Sequence, residues 1–125
     1  MKRVIFTGSR KFSDVDAVLK AMNGLLKIDN DWIVVHGAAA GLDTIADSVA
    51  DDFGFKIERH PANWELHGRS AGPIRNQKML DLGADLVIAF PLDGPGTRHM
   101  IKISLEAKLP VLVWNSEYNK FIREG

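Results

Sequence analysis

The chain has 125 residues, with 16 Lys+Arg against 16 Asp+Glu, a length that suits one domain spanning residues 1–125. Without a single cysteine it has no disulfides, no thiolate metal site and no cysteine nucleophile. A hydrophobic share of 46% is ordinary for a globule with its own core, and zero net charge offers duplex nucleic acid no general attraction.

The first apolar run, Val4–Thr7, follows Met1-Lys2-Arg3 and ends in Gly8-Ser9-Arg10. It is too short and too soon polar for a signal peptide or a membrane span, so a cytoplasmic location is the expectation. Next, Val15, Val18, Leu19, Met22 and Leu26 repeat at helical spacing, with Ser13 or Asp14 placed to cap the helix. Trp32–His36 is a second short, β-branched run, and a helix from about residue 43 to 53 follows, with Ile45, Ala46, Val49, Ala50 and Phe53 on one face. Gly54 stands where a left-handed residue ends such a helix. Phe55–His60 is a weaker third strand, Pro73–Leu82 a third helix stopped by Gly83, and Asp85–Phe90 a fourth strand. A helix over about Thr97–Lys108 and a fifth strand at Val111–Trp114 follow; the tail Asn115–Gly125 reads as a short final helix. Unbroken apolar runs alternating with helices predict an α/β Rossmann-like three-layer sandwich around a mainly parallel sheet of about five strands.

In such sheets ligands sit beyond the carboxyl ends of the strands, so the segments after each strand are read together. They are Gly8-Ser9-Arg10, Gly37-Ala38-Ala39-Ala40-Gly41-Leu42-Asp43, His60 through Arg69 leading to Arg75-Asn76, and Asp93-Gly94-Pro95-Gly96-Thr97-Arg98. Small residues before a helix let backbone N–H groups approach an anion at the positive end of the helix dipole. Gly94, Gly96 and Thr97 make the stronger cradle, and Gly37, Ala38 and Gly41 a second. Neither is a Walker A loop or a G-x-G-x-x-G fingerprint. Arg10, Arg69, Arg75 and Arg98 supply forks suited to phosphate. Asp43 reads equally as a helix cap or a ribose contact. Trp64 reads as a base platform or a cover for the core, and Trp32 and Trp114 as core. His36, His60, His67 and His99 follow no zinc spacing, so no metal ligands are expected.

Together these blocks carry a resemblance. V-V-H-G-A-A-x-G-x-D at Val34–Asp43, H-P-A-N-W at His60–Trp64, H-G-R-x-A-G-P-I-R-N at His67–Asn76 and D-G-P-G-T at Asp93–Thr97 resemble the YspA-like branch of the SLOG superfamily. That superfamily links the Smf/DprA proteins and the lonely-guy enzymes. The resemblance implies a Rossmann-like fold holding a nucleotide-related ligand. Lonely-guy phosphoribohydrolases cleave the N-glycosidic bond of a nucleoside monophosphate through motifs like R-K-x-x-M and P-G-G-x-G-T-x-E-E. Arg75 and Met79 match the first, with Asn76 in place of lysine. Gly94, Gly96 and Thr97 match the second, but Arg98, His99 and Met100 follow where the glutamates would stand.

The expectation is therefore a module that binds or senses a nucleotide or ADP-ribose-like ligand. The alternative is a nucleotide N-glycosidic or phosphate hydrolase, for which Asp43 or Glu65 would have to supply the missing carboxylate. Single-stranded DNA binding, implied by the DprA kinship, ranks last. Magnesium is expected only as a companion of the ligand's phosphates, and the lonely-guy resemblance implies a homodimer.

Overall fold

The structure, a computed structural model, describes residues 1–125. Strand β1 (Lys2–Gly8) leads into α1 (Val15–Ile28), β2 (Trp32–His36), α2 (Leu42–Asp52) and β3 (Lys56–Arg59). A short helix α3 (Trp64–His67) and a 3₁₀ turn (Gly68–Ser70) run into α4 (Ala71–Asp81), followed by β4 (Leu86–Phe90), α5 (Pro95–Glu106), β5 (Val111–Asn115) and β6 (Lys120–Arg123). All the strands join one sheet in the order β3-β2-β1-β4-β5-β6. Pairing is parallel throughout except between β5 and β6. This is the α/β Rossmann-like sandwich, with six strands where five were expected.

The sixth strand replaces the helix expected in the tail. Asn119 takes φ 53 in the turn before β6, a conformation asparagine tolerates better than most residues. Phe121 then packs edge-on against Trp114 and Phe90, with ring centroids 4.9 and 5.6 Å apart. Two aromatic partners under one strand residue outweigh the weak helical pattern of a polar tail.

The two faces of the sheet are covered unequally. On the α1/α2 side, 18 buried apolar residues, Phe6, Phe90, Trp32 and Met22 among them, form one cluster. On the α4/α5 side only six do, around Ile5, Val87 and Met100. The first core therefore carries most of the hydrophobic stabilisation, at about 1.5–3 kcal/mol for each large side chain fully buried. Helix α1 is capped by Asp14, whose carboxylate accepts from Ala17 N at 3.2 Å. Its buried face is Ala17, Val18, Ala21, Met22 and Leu25, so Val15 and Leu26, expected inside, point largely to solvent. Two alanines let α1 sit close to the sheet, and that close approach sets its rotation. Gly54 and Gly83 do end α2 and α4 with φ 76 and 92.

Strand order fixes where a ligand can sit. The chain winds outward from β1 to β3, then crosses back to β4 on the other side of β1. The connections leaving β1 and β4 therefore diverge to opposite faces and open a crevice at the carboxyl ends of those strands. No helix is long and apolar enough to cross a membrane.

Candidate ligand-binding site

A cavity of about 690 Å³ occupies that crevice. Its floor begins at Gly8 and Ser9, where Ser9 N still donates to Phe90 O of β4 at 3.3 Å. Ser9 O in turn accepts from Phe12 N and Leu42 N, tying the first loop to the start of α2. The contact leaves no room for a side chain at Gly41. A Cβ there would fall 2.3 Å from Arg10 O, and φ is 72. Gly41 is thus a packing position behind the cavity wall rather than part of the wall.

The Gly37–Ala39 turn is held from three sides. Asp43, buried at the start of α2, accepts from Gly37 N at 3.1 Å and Ala39 N at 3.2 Å, both on Oδ2. Ala38 has φ 54, and its N–H donates to His36 Nδ1 at 2.9 Å. That bond places the imidazole proton on Nε2, 2.7 Å from Asp47 Oδ2. Asp47 also accepts two bonds from Arg59, at 2.6 and 3.1 Å. From α4, Arg75 Nη1 donates to the carbonyls of Gly37 and His60. Every N–H from residue 37 to residue 39 is consumed inside the protein, so that part of the second expected cradle offers a ligand no backbone donors. Burial pushes the Asp43 carboxyl above the ordinary aspartate range, against the pull of the Ala39 N–H. It likewise lowers the Arg75 guanidinium, with Asp43 opposing.

The Gly94–Thr97 turn is built differently. Gly94 takes φ 99, Pro95 opens α5 with no N–H to satisfy, and no side chain caps the helix. The N–H groups of Gly96 and Thr97 lie in the first turn, where a helix has no acceptors of its own. Thr97 is buried in the cavity wall, and its hydroxyl makes no bond within the protein. The turn is steadied from below by Asn76, which donates from Nδ2 to Gly96 O at 3.3 Å and to His99 Nδ1 at 3.2 Å.

Of the residues singled out in the sequence, Gly8, Ser9, Arg10, Gly37, Asp43, Arg69, Arg75, Asn76, Gly94, Gly96 and Thr97 line the cavity. Ala38, Gly41 and Arg98 lie outside the lining, as does Glu65, exposed on α3. Trp64 is at the wall, half exposed, with the Arg10 guanidinium 5.2 Å from its ring centroid. The wall also includes Lys11, which the sequence did not bring forward, Asp93, named only as part of its loop, and His99, weighed there only as a metal ligand and as the occupant of a glutamate position. His99 was legible as the residue two beyond Thr97, in the first turns of the helix that follows the glycine loop. The arginines and Lys11 outnumber Asp43 and Asp93, so the cavity favours an anion although the whole chain is neutral. No three His, Asp or Glu side chains gather as a metal site.

The YAcAr family (YspA, cpYpsA-related SLOG family) matches residues 2–67, from β1 through α3. The chain belongs to this family. The chain is also similar to the gene 61 protein of Mycobacterium phage D29, 41% identical over 119 residues, covering 90% of this chain and 95% of that protein. Family membership suggests a nucleotide-related ligand-binding role, and the matched segment supplies the Gly8–Arg10 and Gly37–Asp43 loops. The Gly94–Thr97 turn and the α4 side chains lie beyond residue 67, within the reach of the alignment with the gene 61 protein.

Proposed function

We propose that this chain binds or senses a nucleotide-derived phosphate ligand, a nucleotide or ADP-ribose-like molecule, in the cytoplasm. The phosphate sits on the Gly96 and Thr97 N–H groups and the Thr97 hydroxyl, flanked by Arg75, Arg69 and Arg10. The observation that supports this reading most is the contrast between the two turns. One spends its N–H groups on Asp43 and His36, while the other leaves its own free at the positive end of α5. Any magnesium arrives on the ligand's phosphates rather than on protein carboxylates.

A thermal-shift screen with AMP, ADP and ADP-ribose, followed by chromatography of the ligand, tests it. Ligand at ten times its Kd stabilises by about 1.4 kcal/mol, and the recovered ligand is expected unchanged. No shift with any of the compounds would overturn the proposal.

Hydrolysis of a nucleotide is the second reading, favoured by one observation. Asp43 is a buried carboxyl at the cavity wall, shifted upward by its surroundings, as acid–base groups often are. Free base or ribose phosphate among the products, lost in Asp43→Asn, would establish it. Single-stranded DNA binding would instead show steep salt dependence. Native mass spectrometry of the same sample reads whether the chain acts as a homodimer.

A further inference from the structure

Among the cavity-lining side chains, His99 stands out for how its ring is held. Arg75 Nε, which can only donate, gives its proton to Asn76 Oδ1 at 3.0 Å. Gly96 O, which can only accept, takes Asn76 Nδ2 at 3.3 Å. These two bonds fix which end of the amide is nitrogen without reference to the histidine. The same Nδ2 lies 3.2 Å from His99 Nδ1, so Nδ1 must accept. In the neutral ring the proton is then on Nε2, which makes no bond within the protein. The ring itself is half-buried in the cavity wall, one helical turn from the Gly94–Thr97 loop.

We propose that His99 is a ligand-contacting, specificity-determining residue of this site, presenting Nε2–H as a fixed donor to an oxygen of the ligand's phosphate. The proposal rests on the phosphate-binding reading above and deepens it. The relay Arg75–Asn76–His99 makes the ring a donor and not an acceptor, so the group opposite it carries lone pairs. A phosphate oxygen fits; an ammonium or amide N–H would meet a proton. Asn76 is the positioning residue. It is buried, and each polar atom of its amide is engaged. The relay therefore exists before any ligand arrives, which lowers the ordering cost of binding.

The test has two arms on the full chain. In the first, nitrogen-15 NMR of the imidazole rings in the free protein at mildly alkaline pH reads the tautomer of His99. The Nε2–H form is expected, and an Nδ1–H form overturns the relay. In the second, titration calorimetry compares AMP with adenosine, which differ by the phosphate. In His99→Phe the preference for AMP should fall by about tenfold, the weight of one charge-assisted bond. His99→Gln places an amide N–H near the position of Nε2 and should keep most of the preference. Full preference in a folded His99→Phe protein overturns the contact, and so does equal loss in both variants. If wild type binds AMP no better than adenosine, the phosphate-binding reading fails and the contact with it, while the NMR arm still decides the relay.

Discussion

The two glycine-containing turns at the cavity look alike in sequence and are opposites in structure. Gly37–Gly41 is stiffened by buried side chains that take up the N–H groups of residues 37–39, and it behaves as masonry. Gly94–Thr97 is open, capped by no side chain, and a Cβ added at Gly94 or Gly96 would meet nothing within 4 Å. A glycine with no room around it is there for the protein's own packing. A glycine with empty space beside it, at a helix start facing a cavity, keeps the backbone approachable from outside.

Substitution can break that comparison, most severely at Gly41. Alanine there would clash with the Arg10 backbone and strain a left-handed residue, so a loss of about 3 kcal/mol or more is expected in urea unfolding. Asp43→Ala removes the acceptor of two turn N–H groups and should cost about 2–3 kcal/mol by the same assay. If either variant melts like wild type, the first turn is not braced as described. Gly96→Ala should do the reverse. Stability stays level or rises by about 0.5 kcal/mol, since alanine is the better helix residue, while AMP affinity drops about tenfold because the methyl group crowds the donors. Equal losses of stability in Gly41→Ala and Gly96→Ala would erase the distinction.

The smallest effect concerns acid. Glu58 is held by Arg3 and by His60, whose carbonyl accepts from Arg75. Its carboxyl is lowered from 4.5 to about 2, chiefly by the Arg3 bond. A depressed carboxyl stabilises the fold above its unfolded pKa and loses that contribution as pH falls from 4.5 toward 2. With solvent screening the contribution is about 1 kcal/mol, and Glu58→Gln should flatten the acid limb of stability by that amount. Asp47, lowered by Arg59, acts in the same sense. Asp43 acts in the opposite one. Its raised carboxyl favours the fold when protonated, and that contribution fades as pH rises through its folded pKa.

How much of this was legible follows from what each signal encodes. Apolar runs such as Val4–Thr7 and Asp85–Phe90 announced buried parallel strands, and Gly54 and Gly83 marked helix ends by local chemistry alone, while the cap of α1 was narrowed to Ser13 or Asp14. The rotation of α1 was hidden because alanine counts weakly in a hydrophobic stripe yet decides how closely a helix can pack. The strand in the tail depended on Phe121 meeting Trp114 across a hairpin and Phe90 from an earlier strand, contacts that helical periodicity does not encode. For the cavity, the sequence offered every loop that lines it but not the fate of each N–H. That Asp43 would close the first turn while no side chain caps the second is a matter of distances.

Strand β6 has a practical corollary. Because it runs antiparallel to the rest, it carries the chain back to the amino ends of the parallel strands, where Glu124 N bonds to Val111 O. Lys2 starts β1 at the same end, bonded to Asp31. An affinity handle, fluorophore or surface tether joined at either terminus therefore hangs from the pole of the molecule opposite the cavity mouth. Immobilised by either end, the protein presents its ligand entrance to the solution.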